Sequence, residues 1–213
     1  MKPQLESSEY YEAISVKKMR EGDAYTIKNF VSSKELMFRA AYGVYNSVDW
    51  KDKAIAIVAG SGNNGGDGYA LATILADHGV IPHIYRTSEK FSDDGLYYYN
   101  LALEKDVPAD IFSEDQDFSM YDIIVDCILG TGFIGVPRGL AAAAINAINN
   151  SSAFIVSVDI NSGMNGDSGE ADLAVKSNLT VSIGYYKTGL FLGKAPDLID
   201  DLVNIDIGIV LEN

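Results

Sequence analysis

Asp126 and Asp159 each close an apolar run, Ile123-Ile124-Val125 and Phe154-Ile155-Val156-Ser157-Val158, and each is followed by a polar stretch rich in glycine. A third run, Ile55-Ala56-Ile57-Val58-Ala59, breaks into Gly60-Ser61-Gly62-Asn63-Asn64-Gly65-Gly66-Asp67-Gly68, and a fourth ends shortly before Lys187. Carboxylates, carboxamides and a lysine are the residue types of proton transfer and of charge stabilisation. Two carboxylates facing one crevice without a counter-charge require a proton or a cation between them, because an unpaired buried charge is costly. Asn64, Asp126 and Ser162 offer oxygen ligands only, which suits an alkali or alkaline-earth cation and disfavours zinc. Position alone leaves a second reading open, in which Asp126 and Asp159 merely cap the turns that follow them. Cys127 has no histidine placed to activate it and reads as a small buried hydrophobe. His78 and His83 read as structural.

Such residues become a site only if the elements around them converge. The run at 55–59 reads as a buried strand, 60–68 as a polar loop, and Tyr69 to His78 as a helix, with apolar residues at Tyr69, Leu71, Ala72, Leu75 and Ala76. The backbone N–H groups of such a loop and the start of its helix favour anionic or strongly polar ligand groups. Further strands are expected at Val80–Tyr85, around Ala109 to Phe112, at Ile123–Ile128, Phe154–Asp159, Leu179–Ile183 and Val203–Ile207. Helices are expected at Ser92–Glu104 and Leu140–Asn149. Strands alternating with helices predict a three-layer α/β sandwich, Rossmann-like, with a mostly parallel central sheet. Loops following parallel strands share the carboxyl edge, so Asn63 to Asp67, Asp126, Gly130 to Val136, Asp159, Ser162 and Lys187 should meet there. Residues Tyr10 to Val48 read as N-terminal helices, the second starting at Ser32 or Ser33, that serve as a packing arm on the same core. We expect one domain over 1–213.

Composition narrows the partners. A formal net charge of −14 argues against a nucleic-acid or anionic-membrane surface, either of which needs a contiguous basic face. Neither a signal peptide nor a membrane span is visible, and with 1 cysteine no internal disulfide is available, so a cytoplasmic setting is expected.

Taken together, Gly62-Asn63-Asn64-Gly65-Gly66-Asp67-Gly68, Val125-Asp126-Cys127-Ile128-Leu129-Gly130-Thr131-Gly132, Val158-Asp159-Ile160-Asn161-Ser162-Gly163 and Lys187-Thr188-Gly189-Leu190 resemble the YjeF N-terminal domain family, the NAD(P)H-hydrate epimerases. The likeness extends to Met19-Arg20, Asp23 and Glu35-Leu36-Met37 upstream, and to Asp206-Ile207-Gly208 downstream. The resemblance implies interconversion of the two epimers of hydrated NADH or NADPH. It implies substrate contacts from Asn63, Asn64, Gly65, Gly66 and Asp67, from Gly130, Thr131, Gly132, Phe133, Ile134, Gly135 and Val136, and from Asp159. It also implies a potassium ion on Asn64, Asp126 and Ser162. Inversion at a carbon bearing a hydroxyl moves protons by any route. Asp159 is accordingly assigned as general base and then acid, and Lys187 as a secondary candidate for stabilising charge.

Two departures stand out: Asn161 where the family usually has proline, which should free the backbone before Ser162, and Cys127 where alanine is common. The chain ends soon after its last strand, so a separate hydrate dehydratase is the expected metabolic partner. A homodimer through the N-terminal helices is expected by resemblance. Two other functions compete. A binding or dimerising scaffold would share this fold but tends to lose the acid pair. A hydride-transferring dehydrogenase would use the Gly60–Gly65 fingerprint, yet Arg86 stands where its ribose-binding acid belongs.

Overall fold

The computed structural model describes residues 13–212. A short strand, β1 (Ala13–Ile14), leads into two helices, α1 (Val16–Asn29) and α2 (Ser33–Asn46). The helical expectation for Tyr10 onward therefore begins later, at Val16; Tyr10 to Glu12 lie outside the described residues. Serine starts both helices: the Ser15 hydroxyl accepts from the Lys18 N–H and that of Ser32 from the Glu35 N–H, each at 3.2 Å. A capped amphipathic stretch needs an apolar surface to cover. Leu36, Met37, Ala40, Ala41 and Val44 supply it by packing into the same cluster as Ile55, Ile57 and Leu71.

The sheet follows as β2 (Ile55–Ala59), β3 (His83–Arg86), β4 (Ala109–Ile111), β5 (Ile123–Cys127), β6 (Phe154–Val158), β7 (Ser177–Ile183) and, after the two-residue β8 (Tyr186–Lys187), β9 (Ile199–Ile205). Seven strands form one sheet in the order β4-β3-β2-β5-β6-β7-β9, with every pair parallel. Between them run α3 (Asn63–Asp77), α4 (Asp93–Leu103), α5 (Gly139–Asn149) and the one-turn α6 (Ala195–Leu198). Alternate residues of a strand face opposite sides. Ile55, Ile57, Val125 and Cys127 accordingly pack with α2, α3 and α4, while Ala56, Val58 and Ile124 pack with Ala144, Ile145 and Ile148 of α5. Strand order reverses between β2 and β5, which opens a crevice at their carboxyl ends.

Three boundaries differ from expectation for identifiable reasons. Pro82 has no N–H to give a ladder, so β3 begins at His83 rather than at Val80. β9 begins at Ile199 rather than Val203; its exposed Asp200 and Asp201 mask a strand that is the sheet's edge.

The largest difference lies at 63–68, expected as loop and found as the first turns of α3. Glycine inside a helix costs about 1 kcal/mol relative to alanine, which is why three of them read as a loop. Here contact overrides propensity. A Cβ on Gly65 would stand 2.1 Å from the Gly60 carbonyl oxygen, and one on Gly68 would stand 3.0 Å from Cys127. The missing side chains let α3 start directly above β2 and β5.

Candidate active site

A cleft of about 550 Å³ opens at that switch point. Its walls come from α1 (Met19, Arg20, Asp23), from α2 (Leu36, Met37), from the start of α3 (Asn63, Asn64, Asp67), from Leu129 to Phe133, and from Asp159 and Lys187. A second concavity, about 640 Å³, lies at the amino edge beside Tyr45, Trp50 and His78. Its charged residues, Asp49, Lys51, Asp52 and Lys53, are solvated.

Asp159 and Lys187 form the centre of the cleft. Lys187 is 1% exposed, and its ammonium donates to an Asp159 carboxylate oxygen and to the Ile183 carbonyl at 2.6 Å. Asp159 holds φ at +68°, a left-handed conformation that aspartate tolerates better than most residues. Its N–H donates to the Val181 carbonyl at 2.8 Å, so the turn after β6 is tied to β7. Two further carboxyls join them. Burial pushes the Asp67 carboxyl well above its ordinary range, with Asp159 and Asp23 adding to the rise. Burial, followed by the charge of Asp159, raises Asp23 to about 6, while Lys187 opposes the shift. One ammonium therefore serves three carboxyl groups. The cleft retains protons where isolated aspartates would have lost them.

Asp126 and Ser162 lie beneath this floor, both fully buried. Asp126 accepts from the Ser162 N–H at 2.9 Å and hydroxyl at 2.5 Å, from the Ser157 hydroxyl at 2.9 Å, and from the Ile128 N–H at 3.3 Å. No cationic side chain is among these partners. Burial raises its carboxyl, and the four donors oppose the rise. Next to it Asn64 donates to the Leu129 carbonyl at 3.2 Å, which leaves the Asn64 Oδ1 buried with no hydrogen-bond partner. An unpaired buried acceptor beside an uncompensated carboxylate is costly in isolation and ordinary in the presence of a hard cation. The capping reading of Asp126 captures only the Ile128 contact.

The structure gathers most of the expected residues and excludes some. Asn63, Asn64, Asp67 and Gly130 to Phe133 line the cleft, whereas Ile134, Gly135 and Val136 are exposed outside it. Gly65 and Gly66 are buried beneath the helix start and act through packing: a Cβ on Gly66 would meet Met37 at 2.5 Å. Asn63 to Asp67 is consequently the amino end of a helix rather than a loop, and its first N–H groups lie free of intrahelical partners. Cys127 is fully buried, as expected. His78 stacks on Tyr45, and His83 stacks on Tyr85 and meets Asp110 at 2.8 Å, so both histidines lie away from the cleft. Arg86 lies over Phe91 and Tyr99, 5.2 and 4.9 Å from the ring centres.

Sequence reasoning missed the role of α1. The helix is more than a packing arm, because it carries Arg20 and Asp23 into the cleft. Its position is fixed twice. The Val16 N–H donates to Asp167 at 2.7 Å, and β1 pairs in parallel with β8, placing Ile14 opposite Lys187. The available signal was Asp23, an acid one turn after the apolar Met19 and so on the same inward face of the helix.

Asn161 also corrects an expectation. The backbone before Ser162 is anchored rather than freed, because the fully buried Asn161 amide donates to the carbonyls of Val175 and Leu198 and to the Ser177 hydroxyl, at 2.9, 3.2 and 3.0 Å. Its carbonyl oxygen accepts from Thr180 at 2.6 Å. Asn161→Ala removes the donor to the Val175 and Leu198 carbonyls, while the Ser177 and Thr180 hydroxyls keep each other at 2.7 Å, and should cost about 2–4 kcal/mol. A lower urea midpoint at unchanged slope would show it; an unchanged midpoint would mean that water replaces the amide.

These features can be set beside known proteins. The sequence model described as YjeF-related protein N-terminus matches residues 33–189. An NAD(P)H-hydrate epimerase of Oenococcus oeni is 37% identical, with 92% of this chain and 96% of that protein aligned. One from Limosilactobacillus reuteri is 34% identical, over 89% of this chain and 92% of that protein. A bifunctional NAD(P)H-hydrate repair enzyme of Coxiella burnetii is 31% identical over 91% of this chain, which spans 41% of that longer protein. In three dimensions the yeast protein ynu0 (YNL200c) superposes with a TM-score of 0.71 at 21% identity, covering 90% of this chain and 88% of its own. That likeness speaks to the fold alone. With the family pattern running through the helix start at Asn63, the buried Asp126 and the Asp159–Lys187 pair, the chain belongs to the family of the YjeF-related protein N-terminus.

Proposed function

We propose that this protein interconverts the R and S epimers of hydrated NADH and NADPH, an isomerase reaction of nicotinamide cofactor repair. The observation that carries the reading is the Asp159–Lys187 pair in a cleft where burial pushes the neighbouring Asp23 and Asp67 carboxyls above the usual aspartate range. The reaction needs nothing beyond proton transfer and orientation. The cleft is of a size that holds such a ligand, and the amino end of α3 offers N–H groups to its polar or anionic parts. Asp159 takes the proton released as the hydroxyl re-forms at the ring carbon and later gives it up, and Lys187 steadies the charge on Asp159. Starting from one purified epimer, chromatography should show the other appear at a rate proportional to protein; a composition that moves no faster than the blank would overturn the proposal.

A potassium ion on Asn64, Asp126 and Ser162 is part of the same reading. It is supported by the unpartnered Asn64 Oδ1 and by the fully buried Asp126 carboxyl, which has no cationic side chain among its partners. When bound, the ion supplies positive charge under the floor of the cleft. Binding to the folded state alone raises stability by mass action. Replacing sodium by potassium at equal ionic strength should raise the melting temperature of the wild type by several degrees and leave Asn64→Ala unmoved. Equal responses of the two proteins would remove the site.

The wider setting follows from the same proposal. A hydrate dehydratase would consume one epimer, a pairing in keeping with the bifunctional name of the Coxiella relative. The reading places the protein in the cytoplasm; among the described residues no helix is long and apolar enough to cross a membrane. Ile27, Phe30, Phe38 and Tyr42 leave exposed apolar surface on α1, α2 and the turn between them, and this supports a homodimer through the N-terminal helices.

A further inference from the structure

Asp23 has no part in the mechanism just described, yet it lines the same cleft as Asp159 and Lys187 from a separate element. Its position is built rather than incidental. The helix that carries it is capped by Asp167, and its inner face is seated by Thr26, whose hydroxyl accepts from the Val210 N–H at 2.8 Å. Gly22, the neighbour of Asp23, leaves no room for a side chain: a Cβ there would stand 2.8 Å from Leu211. Asp23 is half-buried, and the influences on its carboxyl are burial and the charges of Asp159 and Lys187, with no hydrogen bond among them. Asp67 faces the same space from α3 and Asp94 from the start of α4, while Arg20 lies one turn back on the same helix.

We propose that Asp23 is a second proton-transferring residue of this cleft, acting as the acid partner of Asp159 on the hydroxyl that leaves and returns at the inverted carbon. The proposal rests on the epimerase reading above. Asp159 accepts a hydrogen bond from the Lys187 ammonium and is placed as a proton acceptor, so hydroxyl departure calls for a donor elsewhere in the cleft. As the C–O bond breaks, its electron pair stays on oxygen, the ring-nitrogen lone pair forms a C=N bond, and the Asp23 proton completes a water molecule. When water adds to the opposite face, the C–O bond re-forms, the C=N pair returns to nitrogen, and one proton passes to Asp159. Proton exchange between the two carboxyls restores the starting state. No oxidant, reductant or further reactant enters. A carboxyl raised to about 6 holds its proton closer to neutrality than an ordinary aspartate, which suits a group that must donate it.

The test compares wild type, Asp23→Asn and Asp23→Glu in the epimer assay across pH. Asp23→Asn should lose about 10²–10³-fold in kcat with KM changed less than threefold, and the limb of the pH profile near 6 should disappear. Asp23→Glu should keep the limb and recover at least a tenth of the activity. Removing a carboxyl that is uncomfortable in the fold should also raise the melting temperature at pH 8. That gain should shrink as pH falls toward 4, because ordinary Asp23 is then protonated in the fold and the repulsion is gone. Asp23→Asn within threefold of wild type with the same pH profile would overturn the proposal, as would a loss confined to KM or accompanied by a lowered melting temperature. An inactive wild type would instead bring down the epimerase reading itself.

Discussion

Asp159→Asn is expected to slow epimerisation by about 10²–10⁴-fold, the usual scale for losing a positioned acid–base group. The substitution is close to isosteric, and asparagine tolerates the φ of +68° that this position adopts. Its amide oxygen can still accept from Lys187, so the turn between β6 and Ser162 should keep its shape. The effect therefore belongs to chemistry and should fall on kcat, with KM within a few-fold of wild type. Rates measured on a single purified epimer, together with a denaturation transition that stays cooperative, would separate this from misfolding. Equal rates for the two proteins would remove Asp159 from the mechanism.

Lys187→Met should be the most damaging change to the fold of the site. Methionine retains much of the buried stem but removes the ammonium that serves Asp159 and the Ile183 carbonyl. Breaking one partner of a buried pair leaves a charge uncompensated and typically costs about 3–5 kcal/mol. Asp23 and Asp67, whose rise Lys187 opposes, would be left with less compensation as well. Equilibrium denaturation at neutral pH reads this directly, and activity should fall with it. A cost below about 1 kcal/mol would mean that the pair behaves like a solvent-screened surface bridge.

The two changes also show which parts of the site could be read in the sequence. Asp126 lies near the end of β5 and Asp159 directly after β6, two strands that are apolar but for Asp126 and Ser157, parallel, and buried except at Phe154. Their loops reach one edge because parallel topology leaves them no alternative. Long-range packing was not legible. Nothing local in 63–68 indicates that Gly65 faces the Gly60 carbonyl or that Gly68 abuts Cys127, so a helix start reads as a loop. The contribution of Asp23 was hidden for a related reason. Its place depends on the pairing of β1 with β8 and on the Asp167 cap, contacts that bridge more than 150 residues of chain. Asn161 illustrates the same limit, because the sequence shows the absence of proline but not the four partners that take over its role.

The central claim is that the cleft between β2 and β5 catalyses inversion at the hydrated ring carbon. It is tested most directly by following two reactions with the wild-type protein in potassium buffer, one started from pure R epimer and one from pure S, by chromatography at several protein concentrations. The account predicts that both mixtures converge on the same ratio, at rates proportional to protein, with no net loss of hydrate. Two mixtures that stay at their starting compositions relative to the protein-free control would contradict it.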